Sequence, residues 1–464
     1  MKKEKKAFKV PHVYVIVIFL ILLSAILTYI IPAGTYEFAF DEAANRNVVV
    51  ADSFTYLETQ SPTSFHTLLT SISKGMAASV DIMMLVILVV AGFQIISDTG
   101  ALSAGIFALL RLLKGKNKLV LVIMTVIYST IGGYLGWLEG QLVFIPITVT
   151  MAVAMGYDNI LGFMVVGLGA ICGYATGPLN VYTTALCQGI LSLPVYSGLA
   201  FRVVVWALFT ALACVFVLAY AKRLDKDPKN SLVYGVEGVT QPDLSEEPEF
   251  TGRRKLVFLI TLAGIILSAV GSTMWGWYLQ EITGIFIFTG ILGGIAYGMT
   301  GTQMANSFTE GAKMIIPSAL VIGAARTILV LLESANVLHT VINFLAGAIG
   351  VIPASLTGVA INLVTVLLNA FITSASAKAA ILMPILSPLG DILGLNGQLT
   401  IVAYQLGDGF TNMFWPTSGV LMAGLAMSGN IPWDRWAKAV WKFIVAATVL
   451  SAVVVFVGQA IGLS

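Results

Sequence analysis

The chain has 464 residues, of which 58% are hydrophobic and only 10% are charged, and its formal net charge is +2. An average soluble domain carries about 25% charged residues, so a soluble body of this size could not cover its surface with so few ionisable groups. Its 45 glycines fit tightly packed membrane helices. The composition therefore excludes a soluble enzyme, a nucleic-acid-binding protein and a disordered chain, and it indicates an integral membrane protein.

The sequence shows no pattern typical of a cofactor or metal site. The three cysteines lack CxxC spacing, the three histidines form no HExxH motif, and there is no P-loop lysine motif. We therefore expect no cofactor, no metal beyond a coupling Na⁺, and no ATP-driven pumping by this chain. The coupling ion is either Na⁺ or H⁺.

The first apolar run covers about residues 13–31 and follows the basic segment MKKEKKAFK. It is long enough to span a bilayer, and no A-x-A cleavage site follows it, so we predict an uncleaved first span. The polar segment 222–254 is the only long linker, and it separates two apolar halves. Further spans are predicted at 77–97, 199–221, 256–273, 282–299, 314–333 and 439–461.

The two halves share residues that fix backbone shape. Residues recur 238 positions apart in the pairs Pro146 and Pro384, Pro178 and Pro416, Pro194 and Pro432, Gly156 and Gly394, and Met76 and Met314. Proline and glycine constrain the backbone more than other residues do, so this spacing predicts a structural repeat. The repeat covers roughly 76–221 and 314–459.

The positions of the basic residues predict the orientation of the repeats. If 117–155 and 352–394 are re-entrant hairpins, most lysines and arginines fall on the side of the N-terminus, as the positive-inside rule requires. The two repeats then cross the membrane in opposite directions. The alternative is that the hairpins are full spans, but the first would then be broken at 132–136 and would bury Glu139.

The predicted fold is an all-α, multi-pass protein of the cell (inner or plasma) membrane with a cytoplasmic N-terminus. Residues 158–190 and 398–428 form two broken transmembrane helices, interrupted at 173–180 and 407–419. Inverted repeats with broken helices are typical of secondary transporters. The predicted organisation is 1–75 for the N-terminus, first span and outside loop, 76–221 for repeat 1, 222–254 for a cytoplasmic linker, 255–313 for scaffold spans and 314–464 for repeat 2.

Charged residues at membrane depth are costly and mark candidate sites. Glu139 lies at the tip of the first hairpin, Lys378 at the tip of the second, and Asp408 on the second broken helix. We interpret Glu139 and Lys378 as neighbours that give a substrate site one cation-facing and one anion-facing end; a structural ion pair is the alternative. For Arg326, with Glu333 and Asp81, we expect a structural or interfacial role.

The predicted site residues all lie at a hairpin tip or a helix break. Small residues there could instead serve close helix packing, and the prolines could make simple kinks. The predicted substrate-binding residues are Glu139, Gln141, Asn180, Ser374, Ser376, Lys378, Asp408, Asn412, Thr417 and Ser418. The predicted ion-binding residues are Thr176, Gly177, Thr373, Asp408 and Thr411, and the helices break at Pro178 and Pro416.

Several segments resemble YfcC-type carriers of the C4-dicarboxylate anaerobic carrier family, within the ion transporter superfamily. They are GDGFTNMFWPTSGVLMAGLA (407–426), SASAKAAILMP (374–384), the GG…E…P pattern at 132–146 and IIPAG (30–34). The resemblance spans nearly the whole chain. It implies an elevator-like transport domain and a dimerising scaffold, and therefore a homodimer. Members often have two adjacent acids at the first tip, whereas here Gly140 follows Glu139.

The resemblance leaves two classes of small-molecule substrate open. The family name points to C4-dicarboxylates, whereas some relatives are assigned to arginine–ornithine exchange. Glu139 would repel a dianion, but an amino acid could offer its cationic group to Glu139 or Asp408 and its carboxylate to Lys378 or a half-helix N-terminus. We therefore expect ion-coupled symport or exchange of an amino acid such as arginine or ornithine, with a C4-dicarboxylate as the alternative.

Two functions outside this class are weighed against it. A passive channel would need no inverted binding tips. An intramembrane aspartyl protease would carry a Tyr-Asp pair and a Gly-x-Gly-Asp motif, and the chain has Tyr157-Asp158 and Gly407-Asp408, but position 405 is Gln405 rather than glycine. The sequence thus favours a transporter in the lipid bilayer, and neither an enzyme nor a nucleic-acid-binding protein.

Overall fold

The chain is mostly helical. The computed structural model describes residues 13–41, 46–50, 53–113, 115–136, 138–191, 193–194, 196–240, 242, 249–277, 279–392 and 395–461. Within these residues the helices are α1 Val13–Ile30, α2 Phe65–Ala77, α3 Val80–Asp98, α4 Ala101–Leu113, α5 Asn117–Leu135, α6 Ile145–Ala154, α7 Asn159–Thr176, α8 Leu186–Ile190, α9 Leu199–Lys226, α10 Gly252–Met274, α11 Leu279–Tyr297, α12 Gly301–Ser334, α13 Leu338–Gly350, α14 Thr357–Leu368, α15 Ala375–Ile392, α16 Gly397–Gly409, α17 Gly419–Met427 and α18 Trp433–Ala460. The basic N-terminal segment, Trp137 of the first tip and part of the predicted linker lie outside the described residues.

Seven of the described helices are long and apolar enough to cross a membrane: α3, α5, α7, α9, α11, α12 and α18. Five of the predicted spans fall on α3, α9, α11, α12 and α18, and the two others, 13–31 and 256–273, fall on α1 and α10. Helix α12 begins well before the predicted 314, because Thr300 and Gln303 form a capping box in which each side chain accepts the other's backbone N–H.

The loop after α1 departs from the all-α prediction. It contains two small antiparallel sheets, in which strand β1 (Gly34–Thr35) pairs with β4 (Thr55–Tyr56) and β2 (Phe38–Asp41) pairs with β3 (Arg46–Val49). The strands carry aromatic and β-branched residues, which favour pleated backbone. Pairing within the loop supplies hydrogen-bond partners for backbone that leaves the end of the first span.

Each predicted hairpin consists of two helices joined at the predicted tip. Helix α5 ends where Gly136 takes a left-handed conformation (φ +65°), and a short 3-10 turn at Glu139–Phe144 leads into the ten-residue α6. In the second hairpin, α14 has only 12 residues. At 1.5 Å per residue, such helices reach about 15–18 Å, well short of the roughly 30 Å hydrocarbon core.

Both predicted broken helices are interrupted within the predicted segments. Helix α7 ends at Thr176, where Gly177 is left-handed (φ +38°), and a π-turn at Val181–Ala185 leads into α8. Helix α16 ends at Gly409 and is followed by a 3-10 turn, and α17 starts only after Ser418. Pro178 and Pro416 lie in the two interruptions.

Local features of α7 recur in α16 at the same spacing of 238 positions. Asp158 and Asn396 cap the two helices by accepting the backbone N–H of Leu161 and Leu399, both at 2.9 Å. A Cβ at Gly169 would lie 2.7 Å from the Thr125 carbonyl oxygen of α5, and one at Gly407 would lie closer still to the Asn362 carbonyl oxygen of α14. Glycine thus brings each interrupted helix against the first helix of its hairpin.

The described part of the predicted linker is held against the N-terminal end of α7. The buried Asp158 carboxylate accepts hydrogen bonds from the Tyr220 hydroxyl (2.8 Å) and the Ser231 hydroxyl (2.6 Å). The Asn159 side chain donates to the carbonyls of Thr240 (2.8 Å) and Ser428 (2.6 Å). The linker therefore joins the start of α7 to the end of α17.

Removing one donor to Asp158 should destabilise the protein. Because a hydrogen bond to a charged, buried acceptor contributes about 2 kcal/mol, Tyr220→Phe should lower the free energy of unfolding by about that amount. The matched control is Tyr234→Phe, since the Tyr234 side chain is exposed. Unfolding in detergent, followed with increasing SDS, would compare the variants, and equal midpoints for both would contradict the role given to Asp158.

Candidate functional site

A cavity of about 250 Å³ lies where the two hairpin tips and the two helix interruptions meet. This volume is just below the roughly 300–1,000 Å³ of sites for drug-sized ligands, so it suits a small metabolite. Its wall includes Gly136 and Leu138 of the first tip, Thr373–Ser376 of the second, Tyr174 and Tyr182 beside the first interruption, Asn412, Thr417 and Ser418 of the second, and Arg326 of α12.

The predicted residues divide into those that line this cavity and those behind its wall. Five predicted substrate-binding residues line the cavity: Ser374, Ser376, Asn412, Thr417 and Ser418. Thr373 of the predicted ion site also lines it. Gln141, Thr176, Gly177, Asn180, Lys378, Asp408 and Thr411 are not part of the wall. Glu139 follows Leu138 directly, and its side chain lies outside the described part of the structure.

Arg326 is the charged residue of the cavity wall among the residues described. The sequence analysis gave it a structural role, yet its half-buried side chain makes no hydrogen bond or ion pair within the described part of the chain. The sequence analysis identified this arginine as a charge at membrane depth, which is costly unless it faces a polar site, but did not assign it to the candidate site. The hydrophobic pattern of the sequence does not reveal which residues surround the face of α12 that carries Arg326.

Two helices begin at the cavity. Ala375, the first residue of α15, and Gly419, the first of α17, both line it. The Ser418 hydroxyl accepts the Leu421 N–H at 3.4 Å and caps α17. Helix N-termini carry partial positive charge and free N–H groups, so both favour an anionic group in the cavity. Together with Arg326, they make this wall suited to a carboxylate.

Lys378 and Asp408 form a buried ion pair behind the cavity wall. The Lys378 Nζ lies 2.7 Å from the Asp408 Oδ1, and the two side chains are 0% and 1% exposed. The sequence interpretation placed Lys378 beside Glu139, whereas the structure pairs Lys378 of α15 with Asp408 of α16. The cause is that Asp408 lies in the last turn of α16, which packs against α15.

Asn369, which the sequence analysis missed, joins this pair to the second interruption. Its Nδ2 lies within 3.2 Å of three acceptors: the Asp408 carbonyl, the Thr411 hydroxyl and the Asn412 side-chain oxygen. Its Oδ1 accepts from Lys378 Nζ at 2.5 Å. An asparagine after the apolar α14 was the available signal, but its partners are about 40 residues away in sequence.

The polar residues at the first interruption bind the backbone that it frees. Asn180 donates to the Tyr174 carbonyl (3.2 Å) and accepts the Tyr182 N–H (2.9 Å), while the Thr184 hydroxyl donates to the Gly177 carbonyl (2.5 Å). Gln405 of α16 then donates to Thr184 and to Thr183, both at 2.8 Å, so the two halves meet here.

Arg202 of α9 is an arginine that the sequence analysis did not single out. It is 2% exposed, and its guanidinium donates to the Gln405 Oε1 at 2.5 Å. This bond extends the network at the first interruption to α9. The signal was again an arginine inside a predicted span, 199–221, which the apolar average of that segment concealed.

Comparisons with known proteins place the chain among carriers. The family described as C4-dicarboxylate anaerobic carrier (DcuC) matches residues 10–460. "Putative basic amino acid antiporter YfcC" of Escherichia coli K12 is 31% identical over 500 residues, 99% of this chain and 98% of the relative. An uncharacterised protein of Haemophilus influenzae is 24% identical, covering 98% of each chain.

Two solved structures can be overlaid on nearly the whole chain. The Alcanivorax borkumensis YdaH transporter is 16% identical with a TM-score of 0.44, covering 98% of this chain and 99% of its own. Neisseria gonorrhoeae MtrF, described within a class of antimetabolite efflux pumps, is 19% identical with a TM-score of 0.42, covering 97% and 95%.

Breaking the Lys378–Asp408 pair from one side should be far more costly than removing both charges. Lys378→Met or Asp408→Leu alone should cost about 3–5 kcal/mol, because each leaves one buried charge uncompensated. The double variant should be much more stable than the sum of the two losses implies. A double-mutant cycle by SDS unfolding in detergent measures this coupling.

The matched control cycle uses Glu310 and Lys313, an exposed pair on α12 with the same 2.7 Å separation. Exposed pairs contribute little, so its coupling should be near zero. Additive losses at Lys378 and Asp408 would show that the buried charges do not compensate each other.

Proposed function

The chain belongs to the C4-dicarboxylate anaerobic carrier family, and from that premise we propose that it is a secondary active transporter of a small carboxylate-bearing metabolite. It is a membrane transporter and not an enzyme. The observation that carries the proposal is the cavity wall, where Arg326 and the N-termini of α15 and α17 meet around a volume of about 250 Å³. Each of these three features favours a carboxylate.

The proposed architecture is a pair of inverted repeats, 76–221 and 314–464, each with a re-entrant hairpin and a broken helix. The equal spacing of the caps and packing glycines of α7 and α16 supports the repeat. The short arms α6 and α14 support re-entrance, since neither reaches across the hydrocarbon core. Inversion rests on the positive-inside distribution of basic residues, which also puts the N-terminus and the linker in the cytoplasm.

The transport mechanism is proposed from the same features. An elevator-like movement of the hairpins and broken helices in the cell membrane, with a dimerising scaffold that includes 255–313, rests on the resemblance between this chain and the family. A gradient of Na⁺ or H⁺, or exchange for a second substrate, would drive transport. Thr176, Gly177, Thr373 and Thr411 remain candidate ion-binding residues, whereas Asp408, which was also predicted, is paired with Lys378.

An amino acid such as arginine or ornithine is the favoured substrate. Its carboxylate would bind Arg326 and the helix N-termini, and its cationic group would bind Glu139, which follows the wall residue Leu138. The relative that is 31% identical to this chain is named "Putative basic amino acid antiporter YfcC", which supports this assignment.

A C4-dicarboxylate is the second candidate. The observation in its favour is that the described side chains of the wall include one arginine and no carboxylate. Two helix N-termini could then bind the second carboxylate. The two substrates therefore differ in the role of Glu139, which would be an attractive partner for one and a repulsive neighbour for the other.

The test of the function is uptake into liposomes that contain the purified protein. Labelled arginine, ornithine, neutral amino acids, succinate and malate would be offered in turn, under imposed Na⁺ or H⁺ gradients or with unlabelled counter-substrate inside. Accumulation or accelerated exchange of arginine or ornithine is expected. Uptake of succinate without any amino acid would replace the favoured substrate, and a mere downhill leak would contradict a carrier.

Arg326→Gln should weaken binding of the transported substrate. Losing a charge-assisted hydrogen bond of about 2–3 kcal/mol predicts a KM raised roughly 30- to 150-fold. Arg253→Gln is the control, because Arg253 is exposed in the first turn of α10 and is absent from the cavity wall. Equal KM values for the two variants would remove Arg326 from the binding site.

Glu139→Gln should separate the two substrate classes. If the substrate is a basic amino acid, the variant should lose most arginine uptake, because the cationic group loses its partner. If the substrate is a C4-dicarboxylate, uptake should be unchanged or faster, since a repulsive charge is gone. Initial uptake rates in the same liposomes measure the difference, with protein amounts matched by gel.

A further inference from the structure

We propose that the ammonium group of Lys378 is the resident cation of a monovalent-cation site at the second interruption, in the place that a free Na⁺ would otherwise occupy. The site consists of the Asp408 carboxylate and the Asn369 side-chain oxygen. The inference concerns a binding position and stands independently of which metabolite is carried; only its consequence for ion coupling rests on the proposed function.

The contacts of the Lys378 ammonium are those of a cation among oxygen ligands. Its Nζ lies 2.7 Å from Asp408 Oδ1 and 2.5 Å from Asn369 Oδ1, and the side chain is fully buried. Carboxylate and amide oxygens are also the ligands that hard metal cations take in proteins. The groups that hold the ammonium would therefore form part of a coordination shell if it were removed.

The orientation of the Asn369 amide is fixed by its neighbours. Its Nδ2 faces three acceptors, the Asp408 carbonyl, the Thr411 hydroxyl and the Asn412 side-chain oxygen, so its oxygen must face the other way. That direction is the one in which the Lys378 ammonium lies. The amide cannot turn to offer its N–H groups to the centre of the site without losing those acceptors.

Without Lys378, the Asp408 carboxylate would favour a bound cation in its place, with protonation of the carboxylate as the competing way to remove the charge. Asp408 lies in the last turn of α16, where the helix dipole adds partial negative charge to that of the carboxylate. The Asp408 Oδ2 accepts no hydrogen bond within the described part of the chain, so it keeps a free coordination position. A buried carboxylate at such a helix end is costly unless a positive charge compensates it.

A tethered cation differs from a free one because its occupancy does not depend on concentration. Lys378 is three residues into α15, and the first residue of that helix is held to α16 by the Tyr404 hydroxyl, which donates to the Ala375 carbonyl at 2.5 Å. The ammonium is thus presented to Asp408 at a high effective concentration that free Na⁺ cannot match. In a carrier, this position would then neither take up nor release Na⁺ during a transport cycle.

A purely structural ion pair makes a different prediction. If Lys378 only stabilises the fold, its removal should weaken the protein equally in Na⁺ and in a bulky organic cation. If it fills a cation site, its removal should create a response to Na⁺ that depends on Asp408. The ion dependence of stability therefore distinguishes the two roles, independently of any transport measurement.

The experiment measures thermal unfolding of the purified full-length protein in detergent, with NaCl titrated against choline chloride at constant ionic strength. In Lys378→Ala, Na⁺ should raise the unfolding midpoint by several degrees more than it does in the unaltered protein. The reason is that a ligand that binds only the folded state stabilises that state by mass action. Lys378→Met, which keeps most of the side-chain volume, serves where the alanine variant does not fold.

The controls locate the response. Lys313→Ala removes an exposed lysine of another ion pair and should respond to Na⁺ as the unaltered protein does. Adding Asp408→Asn to the Lys378 variant should abolish the gained response. The proposal is overturned if the Lys378 variants respond no more than Lys313→Ala, or if the gained response persists without the Asp408 carboxylate. Absent uptake in liposomes together with a gained Na⁺ response would count against the proposed function alone.

Discussion

A helix that ends inside a bilayer exposes backbone groups to a medium with no hydrogen-bond partners, and the chain itself must supply them. In the proposed architecture this requirement arises four times, at two hairpin tips and two helix interruptions. Asn180 and Thr184 bind the backbone freed at the first interruption. Asn369 and Thr417 do the same at the second, where they donate to the carbonyls of Asp408 and Ala370.

The partners that solve this backbone problem also concentrate polar groups at one place. Four ends meet around a single cavity, and the side chains divide into two layers. An inner layer, which includes Lys378, Asp408, Gln405 and Arg202, is buried. Gln405 pairs with Arg202 across the two halves, and Lys378 pairs with Asp408 within the second half. The surface layer, with Arg326 and the starts of α15 and α17, faces the cavity. The inner layer holds the ends in place, and the surface layer forms the proposed binding surface.

The sequence predicted where the helices break better than it predicted which distant side chains contact each other. Hydropathy identified the spans, and repeated prolines and glycines identified the tips and interruptions, because both signals are local. Pairing is not local: the sequence placed Lys378 and Glu139 in one neighbourhood from their positions in the repeat, and only the structure shows that the ion-pair partner of Lys378 is Asp408. Arg326 was given a structural or interfacial role and Asn369 was not singled out, since the surroundings of each depend on distant residues.

Low charge and high hydropathy were enough to determine from sequence alone a multi-pass membrane protein, and its motifs gave the family resemblance. The regularly spaced prolines predict two related halves. These properties follow from the solvent around each segment and from local backbone geometry. Tertiary structure alone decided that Lys378 is buried against Asp408 and Asn369, and that Arg326 is the charge in the described cavity wall. The physical reason is that a buried charge is placed by whichever distant groups compensate it, and linear spacing does not encode those contacts.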